Sequence, residues 1–510
     1  MVSRNGSDGH KGSGRPEFQP VRTLSELGLT ARGGREAEIT GLAVDSREVR
    51  AGYLFAALPG TKVHGADFIQ YALQMGAGAI LTDPAGARLA AEALKGSDAA
   101  VIIAEDPRQV LAATAALWFG GQPRVMCAVT GTNGKTSVAT FLRQIWQGLG
   151  YRACNLGTTG VEGDYTHPLS HTTPEPITLH RLLAEAASEG VTHCAMEASS
   201  HGLAQRRLDG VMLQAAGFTN LTQDHLDYHA SFKEYFEAKA GLFTRVLPPE
   251  GHAVINIDGA RGADMVAEAE ARGLDVLTVG MNPDAEMRLV ARRFEPEGQV
   301  LRIAFADTEH QIRLNLIGGF QAENVLVAAG LAMMCGASPQ EVFPVLPRLV
   351  GVRGRMQLAA TRANGASVFV DYAHTPDAVS TALKALRPHV MGRIVAIIGA
   401  GGDRDRTKRP LMGQAAAENA DAVFVTDDNP RSEDPGAIRQ AVLLGCPEAF
   451  EVPDRAEAIL RAVDTLGPGD ALLIAGKGHE TGQIVGDTIY PFDDVEQASV
   501  AVAALDGRLA

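Results

Sequence analysis

Several signals that decide a protein's class early are missing from this chain. Its five cysteines (Cys127, Cys154, Cys194, Cys335 and Cys446) are scattered and odd in number, and no two form a CxxC pair. That leaves out a disulfide framework and a paired-thiolate metal clip, and it reads as reduced core thiols in a cytoplasmic protein. No apolar run approaches the roughly 18 residues that a membrane-spanning helix needs. Basic residues do not dominate: 46 lysines and arginines stand against 60 aspartates and glutamates, a formal net charge of −14. No basic face for nucleic acid is implied. The first 20 residues, MVSRNGSDGHKGSGRPEFQP, have no apolar signal core and read as a disordered polar extension, outside the fold. No solenoid-type repeat is visible. What remains is an ordinary soluble balance, 45% hydrophobic, 21% charged and 5% aromatic, over 510 residues. That length exceeds one core and suggests about three domains.

The most informative stretch is VTGTNGKTSVATFLRQIWQGLG, from Val129 to Gly150. The preceding VMCAV is a short apolar run of strand length. After Lys135 the apolar positions Val138, Phe141, Leu142, Ile145, Trp146 and Leu149 recur at helical spacing, and Gly150 supplies a stop. Strand, glycine loop and helix make a phosphate cradle: backbone N–H groups and the positive helix end face the anion, Lys135 reaches the outer phosphates, and a hydroxyl ligates magnesium. Gly131, Gly134, Lys135 and Thr136 read GxxGKT, a shortened form of the usual GxxxxGK[ST].

Three blocks follow one another. Residues 21–123 alternate strand-like pieces (ITGLAVDS, GYLFAAL, GAILT, AAVIIA) with alanine-rich helical ones. Residues 124–352 open with the phosphate loop. Residues 353–510 contain three β-then-α units with strands IVAIIGA, DAVFVTD and DALLIAG. This alternation predicts an α/β protein with mostly parallel sheets, the last block doubly wound. Ligands of such sheets sit beyond the carboxyl ends of the strands. Those ends carry the polar strings GGDRDRTKRP, TDDNPRSEDP and GKGHETGQ.

Other residues suggest chemistry less sharply. Glu197 ends the apolar strand HCAME, where phosphate-loop enzymes commonly hold the magnesium ligand. Asp224, His225, Asp227 and His229 crowd a loop ahead of a helix bearing Lys239. Taken alone, such histidines read as turn residues and such a lysine as a solvated surface group. Arg355 in GVRGRMQ and Asp371 in DYAHTPD could bracket a nucleotide from the side opposite the phosphate loop.

In chain order, DSR (45–47), TGTNGKTS (130–137), HTTPE (171–175), MEASSHGLAQRR (196–207), NLTQDHLDYH (220–229), Lys239, DYAHTPD (371–377), GGDRDRTKRP (401–410), DNPR (428–431) and GKGHE (476–480) resemble the Mur ligase family of peptidoglycan synthesis. These strings span nearly the whole chain after the extension. The resemblance implies three domains: 21–123 for a UDP-sugar, 124–352 a central phosphate-loop ATPase, and 353–510 a Rossmann-like domain that closes over the site and binds the amino acid. It implies an ATP-dependent amide ligase that adds meso-2,6-diaminopimelate to UDP-N-acetylmuramoyl-L-alanyl-D-glutamate through an acyl phosphate. A monomer acting on small molecules is expected, with no nucleic-acid or membrane partner. A lysine-adding relative, a folylpolyglutamate synthetase-like ligase and an inactive nucleotide-binding scaffold are the alternatives.

The same resemblance assigns residues. Lys135, Glu197, His225 and Lys239 would be catalytic. Gly131, Thr132, Asn133, Gly134, Lys135, Thr136, Ser137, Asn324, Arg355 and Asp371 would bind ATP. Ser46, Thr172, Thr173, Ser199, Gln205 and Arg207 would bind the UDP-sugar peptide, and Arg404, Asp428, Asn429, Pro430, Arg431, Gly476 and Glu480 the diaminopimelate. Magnesium would be held by Thr136, Glu197, His225 and Lys239, the last as a carbamate formed with carbon dioxide. A carbamate turns a cation into an anionic oxygen ligand for a second magnesium. Three positions depart from the family pattern: His171 for Asn, Gln321 for Asn in GGFQAEN, and Arg353 for Pro before GRM. They leave the contacts at 171 and 321 open.

Overall fold

The computed structural model describes residues 21–60, 63–169, 171–222 and 231–508. They sort into two compact units. The smaller holds the described residues up to Gln122 together with Pro174–Ser188 and Gln205–Val211; the larger holds Pro123–Thr173, Glu189–Ala204 and the residues from Met212 onward.

The smaller unit is built on a four-stranded parallel sheet, Gly41–Ala43, Tyr53–Ala57, Ala79–Thr82 and Ala100–Ile103, paired in chain order. Strands such as AILT are buried throughout, as a parallel sheet covered on both faces requires. The helix Pro107–Phe119 starts where the Asp106 carboxylate accepts the Gln109 N–H and stops at Gly120, whose φ is +68°. It packs against the helix Pro176–Ser188 of the same unit.

The larger unit carries two large sheets and a two-stranded hairpin, Gly482–Val485 with Thr488–Pro491. The first has ten strands, with Val125–Thr130 between Ala215–Phe218 and His193–Glu197, and parallel pairing runs from Met287–Glu295 to Ala153–Gly157. Antiparallel strands extend both edges. The helix Lys135–Gly148 buries Val138, Phe141, Leu142, Ile145 and Trp146, the apolar stripe legible in the sequence. Its neighbour, the helix Phe320–Met334, is apolar on nearly every side and correspondingly buried.

The second sheet has six strands in the order Gln357–Thr361, Ser367–Asp371, Ala471–Ala475, Ile394–Ile398, Ala422–Val425 and Phe450–Glu451; all pairs but the first are parallel. The last long strand of the chain therefore lies between two earlier ones, and the strings DYAHTPD, GKGHE and DNPR leave the sheet from the same end.

The α/β expectation is met. All five cysteines are free thiols, four of them buried and Cys335 half-buried. No described helix is long and apolar enough to cross a membrane.

Candidate active site

The phosphate loop follows the fully buried strand Val125–Thr130 and ends at the helix Lys135–Gly148. Its glycines are required sterically. Gly131 has φ +147° and a Cβ there would lie 1.9 Å from Thr219 Oγ1; Gly134 has φ +87° and a Cβ would lie 2.3 Å from Asn324 Oδ1. The arc is tied down from the neighbouring strand end: Thr132 N–H donates to Asn220 O at 2.9 Å and Asn133 N–H to Asn220 Oδ1 at 3.0 Å. Lys135 Nζ curls over the arc and donates to the carbonyls of Gly131 at 2.9 Å and Thr132 at 2.8 Å. Thr136 and Ser137 occupy the buried first turn of the helix.

Glu197 lies one strand away, in register with Val129. Its carboxylate is 2% exposed and accepts the Thr158 N–H at 2.7 Å and the Thr158 hydroxyl at 3.3 Å. Around it gather Thr172, whose hydroxyl lies 3.0 Å from that of Thr158, and Thr173, whose hydroxyl donates to Glu197 O at 2.9 Å. Ser199 donates its N–H to Thr173 Oγ1 at 3.1 Å. Three residues expected to hold the sugar-peptide thus share one edge with the expected metal ligand.

Lys239 is not the solvated group that its helical position alone suggests. The helix Phe232–Gly241 buries Tyr235, Phe236, Lys239 and Ala240, so Lys239 sits one turn beyond Tyr235 on the inward face. It is 1% exposed, its Nζ lies 4.6 Å from the Tyr235 ring centroid, and it donates to Gly131 O at 2.7 Å. Lys135 and Lys239, more than a hundred residues apart, therefore meet on one carbonyl of the phosphate loop. Asp224, His225, Asp227 and His229 lie outside the described residues. Magnesium takes oxygen ligands, and the donors beside the loop suit it: the Thr136 hydroxyl and the Glu197 carboxylate.

In the smaller unit, DSR is a self-capped turn. Asp45 accepts the Arg47 N–H at 2.9 Å and the Arg47 guanidinium, which holds the Asp45 carboxyl at about 2. The turn it starts buries Ser46. A cavity of about 110 Å³ is lined by Val44, Leu58, Arg108, Leu111, Glu175, Pro176, Gln205 and Arg207. Gln205 Oε1 accepts two guanidinium bonds from Arg207, at 2.8 and 3.2 Å. Glu175 caps the helix Pro176–Ser188 through the N–H groups of Ile177 and Thr178. Arg108 is a cation of this cavity that no motif in the sequence marked.

At the ligand end of the six-stranded sheet, Asp371 accepts the Met356 N–H at 2.7 Å and so clamps the turn bearing Arg355, whose guanidinium stands 5.0 Å from the Tyr372 ring centroid. Burial raises the Asp371 pKa above the usual carboxylate value, against the pull of Arg355. Asn324 Nδ2 donates to Gln321 Oε1 at 3.1 Å, so Gln321 fixes the amide that abuts Gly134. Arg353, at the family's proline position, pairs with Asp493, the cap of the helix Asp494–Leu505.

DNPR and GKGHE converge. Asn429 Nδ2 donates to Glu480 Oε2 at 2.9 Å, and a Cβ on Gly476 would lie 2.6 Å from Asp428 Oδ2. Arg431 has φ +52°, a left-handed conformation held by a bracket of two backbone bonds: its N–H donates to Ile484 O at 3.1 Å and its carbonyl accepts the Gly486 N–H at 2.8 Å. Its Nη1 donates to Gly402 O at 2.9 Å, while Nε and Nη2 have no hydrogen-bond partner among the described residues. Pro430 accepts the Glu433 N–H through its carbonyl. Arg404 is exposed and donates to Asp403 O at 3.2 Å. Lys477, passed over in the sequence, is fully buried in the middle of this group.

Family models match most of the chain: the Mur ligase middle domain over residues 129–332, the Mur ligase glutamate ligase domain over 354–478, and the Mur ligase family catalytic domain over 38–118. The chain is 50% identical to the UDP-N-acetylmuramoyl-L-alanyl-D-glutamate–2,6-diaminopimelate ligase of Bradyrhizobium diazoefficiens, across 92% of this chain and 95% of that one. It is 49% identical to the ligase of the same name from Brucella melitensis, across 96% and 98%. A solved structure of a ligase of that name superimposes with a TM-score of 0.71 at 33% identity, covering 95% of this chain and 99% of the other. The chain belongs to the Mur ligase family.

Proposed function

We propose that the chain is an ATP-dependent ligase that joins meso-2,6-diaminopimelate to UDP-N-acetylmuramoyl-L-alanyl-D-glutamate, releasing ADP and phosphate, in peptidoglycan precursor synthesis. The observation that carries this reading is the near-full-length likeness to ligases of that activity. A carboxylate does not react with an amine unaided, because oxide is a poor leaving group. The terminal carboxylate of the D-glutamyl residue attacks the outer phosphorus of ATP, ADP leaves, and the acyl phosphate is attacked by the amine, which expels phosphate. Positioning and charge neutralisation dominate such chemistry.

In this reading residues 21–123 take the UDP-sugar, with Ser46, Gln205 and Arg207 as contacts, and Thr172, Thr173 and Ser199 hold the peptide beside Glu197. The loop Gly131–Ser137 holds the ATP phosphates, and Lys135 swings from the loop carbonyls to the outer phosphate. Asn324, Arg355 and Asp371 frame the nucleotide. Magnesium would be held by Thr136, Glu197, His225 and a carbamate on Lys239, and would neutralise phosphate charge. Two ammonium groups on the Gly131 carbonyl, that of Lys239 buried, repel one another, and a carbamate would remove that repulsion while supplying an anionic oxygen. Arg431 grips the far carboxylate of diaminopimelate with its unoccupied Nε–Nη2 edge, while Asp428 and Glu480 meet ammonium groups; Arg404, Asn429, Pro430 and Gly476 complete the pocket. The test is to incubate the purified chain with ATP, magnesium, the UDP-sugar dipeptide and meso-diaminopimelate. A product heavier by one diaminopimelate less water, formed mole for mole with ADP, is expected. Absence of that product from folded, nucleotide-binding protein overturns the reading.

A further inference from the structure

Within that proposed function, we infer that Lys477 is a positioning residue for the amino-acid substrate: it locks the Asn429 amide and the Glu480 carboxylate into the one arrangement that presents a free carboxylate oxygen to an incoming ammonium group. Lys477 is itself inaccessible, at 0% exposure, so it cannot touch the substrate. Its flanking glycines turn it inward. Gly476 and Gly478 have φ of +120° and +54°, and a Cβ on Gly478 would lie 2.6 Å from the Tyr372 Cβ. A turn closed by Glu480 N–H on Lys477 O, at 3.0 Å, folds Glu480 back over the lysine.

The hydrogen bonds then leave little freedom. Lys477 Nζ donates to Asn429 Oδ1 and to Glu480 Oε2, each at 3.1 Å. Asn429 Oδ1 also accepts the Ile484 N–H at 2.9 Å, and Asn429 Nδ2 donates to Glu480 Oε2 at 2.9 Å. A flipped amide would face two donors with its own NH₂, so the lysine and the Ile484 backbone fix its sense. Glu480 Oε2 takes two donors, and Oε1 has none among the described residues. The Glu480 side chain remains 33% exposed, so the unoccupied oxygen is open to a ligand. The carboxylate is thus held by its inner oxygen, and its outer one is offered at the sheet end where DNPR and GKGHE meet.

The experiment uses the full chain with Lys477→Met, which keeps the stem and removes the donor, beside the unaltered enzyme. Loss of a charge-assisted contact that orients the substrate's partner should raise the KM for diaminopimelate roughly 10- to 100-fold, with the KM for ATP and for the UDP-sugar dipeptide within about twofold. In a cycle with Glu480→Gln, the double variant should be no worse than Glu480→Gln alone, because the lysine acts through that carboxylate. If Lys477→Met does not fold, Lys477→Gln, which keeps a neutral donor for Asn429 but loses the charge that holds Glu480, carries the same expectation. An unchanged KM for diaminopimelate, an equal rise in all three KM values, or additive effects in the cycle would overturn the inference. Failure of the unaltered enzyme to use diaminopimelate would instead overturn the assigned reaction.

Discussion

Lys239 and Lys135 meet on the carbonyl of Gly131, and the role proposed for each predicts a different loss on substitution. A buried lysine ammonium loses its hydration, which makes it an expensive way to stabilise a helix. Lys135→Ala should leave a folded protein whose ligation is abolished, read as ADP release with all substrates present, because the outer phosphate loses its principal cation. Near-normal turnover would contradict the phosphate-loop assignment. Lys239→Ala should be nearly inactive and partly restored by short carboxylates such as acetate, which supply the missing anionic oxygen. A mass spectrum of active enzyme showing only the unmodified amine would contradict the carbamate.

These residues also mark what was legible. GxxGKT between an apolar strand and an amphipathic helix predicts the strand–loop–helix turn that the structure has, since spacing and glycine serve one backbone geometry. The burial of Lys239 has no local signal, because a lysine on a helix is exposed or buried according to what the other elements bring to that face. Lys477 and Arg108 were missed for the same reason.

Among elements, the strand–loop–helix unit is the most constrained. Gly134 needs both a positive φ and the absence of a Cβ, because Asn324 lies against it, and Asn324 is held in turn by Gln321. Gly134→Ala should therefore lower stability by more than about 1 kcal/mol and raise the KM for ATP more than that for diaminopimelate. Calorimetry and steady-state kinetics check this, and an unchanged KM for ATP would sink it. The α/β alternation and three of the six strands of the third block's sheet were readable from period and composition. The order of the six-stranded sheet was not, because inserting Ala471–Ala475 between Ser367–Asp371 and Ile394–Ile398 is a long-range pairing choice. That choice brings DNPR and GKGHE together, although the strings are about fifty residues apart.

For the molecule as a whole, acid should act partly through buried histidine. Burial pulls the His180 imidazole down to about 4 from a usual value of 6.5, and its Nε2 has no hydrogen-bond partner among the described residues. The folded value is the lower one, so between pH 6.5 and about 4 the unfolded chain binds the extra proton. Stability is retained above that window and lost as pH falls through it. The thermal midpoint should drop over this range, and less steeply in His180→Leu; an equal slope in the variant would contradict this.

The central claim, that the chain adds diaminopimelate, rests at this scale on one discrimination. Diaminopimelate is lysine with a second amino-acid head, and a site whose arginine edge awaits a carboxylate should reject lysine by roughly 10⁴-fold in kcat/KM. The most direct measurement is ADP release by the unaltered enzyme with the UDP-sugar dipeptide and a panel of amino acids. The expected result is turnover with meso-diaminopimelate and almost none with L-lysine or L-glutamate; equal use of lysine and diaminopimelate would contradict the account.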